Sequence, residues 1–152
     1  MKTLAQSRDR DELRRRLRRV RPDTPRKWGK MSAPEMVCHL NDACRMALGE
    51  KVVPPASSVL QRTAVKWIAL YAPVRWPPGI LTRPEIEQGL GGTCPGDFAS
   101  DVAEQESLLE RVASLSHDTP WPVHPIFGRM SRRAWLRWGY LHTDHHLRQF
   151  GA

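Results

Sequence analysis

No stretch of this sequence is apolar for long enough to cross a bilayer, and no hydrophobic leader precedes its first charges; Met1-Lys-Thr-Leu-Ala-Gln-Ser runs straight into a charge-dense segment. The expectation is a cytoplasmic protein with no membrane partner. Cysteine is scarce. Cys38, Cys44 and Cys94 fit neither a zinc-ribbon nor a redox spacing, and an odd number suits a reducing compartment better than a disulfide framework, so free thiols are expected. Strand-like alternation is missing, which sets aside the sheet classes. So are a Ser-His-Asp arrangement and a phosphate-binding glycine loop: Gly89-Leu-Gly91-Gly92 is not followed by Lys-Ser/Thr.

Acidic residues are also in short supply, 16 against 24 basic ones, giving a net charge of +8. The excess is local. Between Arg8 and Lys30 stand eleven Lys or Arg and four acids, so +7 of the total sits there and the remainder is nearly neutral. A basic stripe can bind phosphate, but it is more often a solvated helix face. No aromatic residue interleaves with these arginines before Trp28, which argues against a single-strand stacking platform and against nucleic acid as the partner.

The 152 residues, 40% of them hydrophobic, fit a single helical domain spanning 1–152 with a true core. Period and caps predict five helices and an all-α fold. The first covers about Asp9 to Val20, with Leu13, Leu17 and Val20 on one face, and stops before Pro22. The second opens on Ser32-Ala-Pro34-Glu35, a cap with Pro in the first turn and Glu three residues on, and runs to about Leu48 before Gly49. His39 shares its buried side with Met36 and Ala43. A third helix is expected from Ser57 to Ala72, and its apolar part, Ala64 to Pro73, reads as core. Pro73 to Asp97 is a long Pro/Gly-rich loop, a candidate lid or pocket rim or else a disordered connection. A fourth helix, about Phe98 to Leu115, carries Val102, Leu108, Leu109, Val112 and Leu115. After the irregular link Asp118 to Gly128, Ser131 caps the last helix.

The chemistry-bearing feature lies in that last helix: Trp135-Leu-Arg-Trp138-Gly-Tyr-Leu-His142-Thr-Asp-His145-His146-Leu-Arg-Gln149-Phe-Gly151. His142 and His146 are four apart, so both rings can aim a nitrogen at one point. Two ligands are too few for a metal, and His39 is the candidate third. Two bland alternatives stand beside this: buried structural histidines with hydrogen-bond partners, or His145 replacing His146 as an i, i+3 ligand. Trp138 and Gln149 are pocket candidates, and His124, after the proline-rich link, either lines the pocket or caps the last helix. Cys38 points to a different helical face from His39, which argues against a thiol-imidazole nucleophile.

The order Trp28-Gly29-Lys30-Met31-Ser32 to His39-Leu40, followed by His142-x-x-x-His146-x-x-Gln149, resembles the DinB-like (YfiT-like) metalloenzyme superfamily over nearly the whole chain. More narrowly, His124-Pro-Ile-Phe-Gly128, Trp135 and the His145-His146-Leu-Arg-Gln149-Phe-Gly ending resemble an uncharacterised bacterial branch defined only as a domain of unknown function. Many relatives read His-Arg-Gly-Gln where this chain has His146-Leu147-Arg148-Gln149. The resemblance implies an up-down-down-up four-helix bundle, with a divalent metal held by His39, His142 and His146; among the first-row ions that imidazole accepts, zinc is expected first and nickel second. It also implies metal-dependent transfer or isomerisation with a low-molecular-weight thiol as co-substrate, or else hydrolysis. The competing class is a non-catalytic helical binding module whose basic first helix docks an acidic partner. A homodimer is compatible with a bundle carrying six tryptophans.

Overall fold

The computed structural model describes residues 1–55, 58–79 and 82–152, and over these the chain is helical, with five α-helices and no strand. They are α1 (Ser7–Leu17), α2 (Ala33–Ala47), α3 (Lys66–Tyr71), α4 (Phe98–Ser114) and α5 (Arg132–Gln149). A π-helical stretch, Gln61–Val65, leads into α3, and a short 3-10 turn, Pro84–Ile86, interrupts the loop between α3 and α4. No described helix is long and apolar enough to cross a membrane.

Local chemistry sets the helix starts. Ser32 and Glu35 form a reciprocal capping box, with Ser32 N–H donating to Glu35 Oε2 at 2.7 Å and Ser32 Oγ accepting from Glu35 N–H. Asp97 caps α4 through the N–H of Ser100, and Ser131 caps α5 through that of Ala134. Because α2 and α4 pack along each other while α1 lies on α5 and α4, the apolar stripes meet in one core. Leu13, Leu17, Met36, Leu40, Leu108, Leu109, Trp135 and Leu147 are all buried there.

The apolar segment 64–73 departs from the reading as core. Only Leu70 is buried; Trp67 is 67% exposed and Ile68 55%. Mean hydropathy reports what a segment is made of and not whether a neighbour covers it; α3 packs on α5 through one face and leaves the other open. The expected start of that helix at Ser57 lies outside the described residues. The Pro/Gly-rich loop is also not a bare connection: Ile86 is buried, and Trp76 packs on the core while its indole N–H donates to the Ala69 carbonyl at 2.8 Å.

Candidate metal centre

Helical spacing brings His142 and His146 onto the α5 face that meets α2, and the capping box fixes where α2 starts and so where His39 falls. One ring nitrogen from each of His39, His142 and His146 lies within 4.8 Å of the others. His39 Nε2 and His142 Nε2 are 3.2 Å apart. The remaining nitrogens show which atoms are free. His39 Nδ1 faces the Ile86 carbonyl at 3.0 Å and His146 Nδ1 faces Gln149 Oε1 at 2.8 Å. A carbonyl oxygen only accepts, so both Nδ1 atoms carry the proton and both Nε2 atoms present a lone pair. The ring of His142 is held by stacking on Trp138, with centroids 4.7 Å apart and planes 20° from parallel.

Electrostatics keep these rings neutral. Burial lowers the pKa of His39, opposed by its bond to Ile86 and by the Asp42 carboxylate. His142 and His146 are pushed well below the usual histidine value, by burial first and then by the neighbouring imidazoles. Neutral imidazole is the form that binds metal. Two nitrogens bound to one tetrahedral ion at about 2.0–2.1 Å stand roughly 3.3–3.4 Å apart, close to the separation of His39 and His142. Without an ion, the same distance suits an N–H···N bond between the two rings.

The structure separates the other sequence candidates. His145 is buried but outside the trio; its ring faces Trp28 and Trp76, and its Nδ1 has no hydrogen-bond partner among the described residues. Gln149 and Trp138 touch the trio directly. His124 does not. Its Nδ1 accepts the N–H groups of Ile126 and Phe127, both at 3.1 Å, and its N–H and carbonyl pair with those of Gly128, so it staples the turn before α5. Its ring packs between Phe127, Trp135 and Trp138, one ring removed from His142. Cys38 turns toward Asp101, and burial together with that carboxylate pushes its thiol up to about 12, far from a reactive thiolate.

Several contributors gave no sequence signal. The Ile86 carbonyl is a backbone atom. Asp42, fully buried one turn after His39, accepts from Thr93 N–H (2.8 Å), Thr93 Oγ1 (2.6 Å) and Lys51 Nζ (2.9 Å), which ties the loop carrying Ile86 to α2. Burial alone would raise the pKa of Asp42, but the bonds from Thr93 and Lys51 outweigh it and hold it below the usual value. Trp28 and Trp76 form an aromatic rim beside His145, and Trp76 also reaches His142. Gly29, at φ +88°, lets the loop after Trp28 pass over Gln149.

The basic first helix is largely engaged within the fold. Arg10 and Arg14 each reach Glu110 at 2.6 Å, Arg16 reaches Asp144 at 2.7 Å, and Arg18 reaches Glu106 at 2.7 Å. Arg15 and Arg19 stay exposed without an ion pair among the described residues.

Residues 4–152 match the family described as Protein of unknown function (DUF1569). No curated protein and no solved structure matches the chain.

Proposed function

The chain belongs to the DUF1569 family, whose description leaves its chemistry open, and from the site itself we propose that it is a divalent-metal-dependent enzyme whose ion is held by His39, His142 and His146. The carrying observation is the convergence of three neutral imidazoles, those of His39 and His146 buried and that of His142 half-buried, two with the nitrogen away from the cluster already bound to an oxygen acceptor. Such outer partners are the usual means of fixing the tautomer of a ligating histidine. We further read α1, α2, α4 and α5 as the four helices of a DinB-like up-down-down-up bundle, with α3 as the additional short helix; the site's position where α2 meets α5 supports that reading.

Imidazole donors suit zinc first and nickel second. Three ligands leave room for a further one, and an ion there would supply Lewis acidity, easing proton loss from a thiol or water and polarising a substrate oxygen. The chain's own groups define the rest. The Ile86 carbonyl and Gln149 orient two donors and Trp138 the third, while Trp76 and Trp28 wall the approach and exclude water. The reaction class we favour is transfer or isomerisation that uses a low-molecular-weight thiol, with hydrolysis by water as the other option. A nucleic-acid-docking module is the weaker reading, since Arg10, Arg14, Arg16 and Arg18 already face carboxylates.

The test is elemental analysis of untagged protein beside His39→Ala and His142→Ala. About one equivalent of zinc or nickel in the parent, lost in both variants with helicity retained, is the expected result. Protein that neither retains nor rebinds an ion would sink the proposal and return the three histidines to structural roles. A metal-dependent turnover in a panel of small thiols with electrophilic partners then tests the reaction class.

A further inference from the structure

The face of α5 opposite the histidines carries a second feature, independent of the metal centre. A groove of about 590 Å³ is lined there by Thr3, Ala5, Tyr71, His117, Leu136 and the guanidinium-bearing Arg132, Arg133 and Arg137. Its volume falls in the range of small-molecule sites. No carboxylate lines it among the described residues.

The three guanidiniums have neutral partners or none. Arg132 donates from Nε and Nη2 to the carbonyls of Leu115 and Ala113, both at 3.0 Å. Arg137 donates from Nε to the Leu70 carbonyl at 3.0 Å and from Nη1 to that of Lys2. Arg133 is exposed and makes no hydrogen bond or ion pair among the described residues. Asp9 and Asp144 influence Arg137 from a distance, but their ion pairs go to Arg8, Arg16 and Arg148. Carbonyls fix Arg132 and Arg137 in place without neutralising them, while Arg133 stays free. Arg137 is half-buried, and its pKa is lowered because desolvation outweighs the opposing influence of Tyr140, Tyr71 and those distant acids. On and just after α1, by contrast, Arg10, Arg14, Arg16 and Arg18 are matched by Glu110, Asp144 and Glu106. Three guanidiniums without a carboxylate partner on the wall of one groove, two of them held by carbonyls and each with donors to spare, give that wall the charge and donors that phosphoryl oxygens accept. Tyr71 and Leu136 offer an apolar wall to whatever that group is attached to.

We propose that this groove binds a phosphate-bearing small molecule, with Arg133 and Arg137 contacting the phosphoryl oxygens and Arg132 completing the cationic wall. The first measurement is isothermal titration of the full chain with inorganic pyrophosphate at low salt, with acetate at matched ionic strength as the control. Arg133→Gln removes a side chain with no partner inside the fold, so the fold persists, which circular dichroism checks. Ala5→Glu is the second variant, placing a carboxylate on the groove wall at an exposed position.

The expected result is saturable, single-site pyrophosphate binding, weakened about tenfold or more in each variant, the scale of one lost charge-assisted hydrogen bond. No saturable binding would overturn the proposal. So would binding that survives both variants and disappears in Arg15→Gln/Arg19→Gln, because the anion would then sit on α1. Co-sedimentation with phosphatidylserine vesicles, without pyrophosphate binding, would overturn the small-molecule assignment in favour of a lipid surface.

Discussion

At the residue scale the centre depends on which nitrogen each ring leaves free, and that is set by partners close in space. Gln149 lies one helical turn beyond His146, and its carbonyl holds the proton on Nδ1. Replacing it with leucine keeps the volume and removes the acceptor, so Gln149→Leu is expected to weaken zinc binding about 10–100-fold, the usual cost of losing such a partner. Competition against a fluorescent chelator reads this out, and an unchanged affinity would mean that Gln149 merely fills space. His124 supports a different prediction. Burial holds its pKa at about 3, below the 6.5 of an unburied histidine. The unfolded chain therefore binds more protons between those values. Stability from this group is complete above pH 6.5 and is lost as pH falls toward 3, at up to ~1.4 kcal/mol per pH unit. His124→Asn keeps an acceptor for the N–H groups of Ile126 and Phe127 but does not titrate in this range. Urea melts at a series of pH values should show a shallower acid slope in the variant; parallel slopes would refute the assignment. The i, i+4 pair and the inward face of His39 were legible in the sequence because helical period places side chains. The role of His124 was not, because a ring that caps a turn and a ring that lines a pocket have the same sequence surroundings.

At the scale of elements, α2 and the loop after α3 form one device. α2 was readable to within a residue or two, since Ser32, Pro34, Glu35 and Gly49 are start and stop signals with a local mechanism. The loop was not readable, because its task is done by a backbone carbonyl at Ile86 and by contacts of Thr93 some fifty residues from Asp42. α3 was misjudged for a related reason: an apolar helix has the same composition whether one face or all of it is covered. The Asp42 latch gives the test. Asp42→Ala leaves the Thr93 donors without their acceptor and Lys51 with only the Gly91 carbonyl and Thr93 as partners, and frees the strap that carries Ile86. The expected cost is about 3–5 kcal/mol of stability, in the range for breaking a buried pair, together with weaker metal retention. Thr93→Val removes one hydroxyl donor and keeps the Lys51 contact, so a loss of about 0.5–1.5 kcal/mol is expected for it. Denaturant unfolding with zinc analysis separates the two effects. If metal affinity were unchanged in both variants, the Ile86 carbonyl would not depend on the latch for its position.

At the scale of the whole molecule, the centre joins helices that are distant in sequence, since His39 lies on α2 and His142 and His146 on α5. An ion shared between them binds only the folded chain, so metal affinity adds directly to folding stability. At a free metal concentration 100 times the dissociation constant this amounts to about 2.7 kcal/mol, or roughly 5–10 °C of melting temperature for a chain of this size. Stripping the protein with a strong chelator should lower the melting temperature by that amount, and adding zinc should restore it. The necessary control is His39→Ala, where the chelator should have no effect and the melting temperature should lie near that of stripped parent protein. Alanine removes a buried imidazole from a crowded group of three, so the variant loses the metal contribution but gains relief from polar groups packed without enough partners. If the variant still responded to chelator, the stabilising ion would sit elsewhere in the fold. If the stripped parent melted at the same temperature as the untreated protein, the two helices would be held together by the core alone, and the histidine cluster would have no coupling to folding.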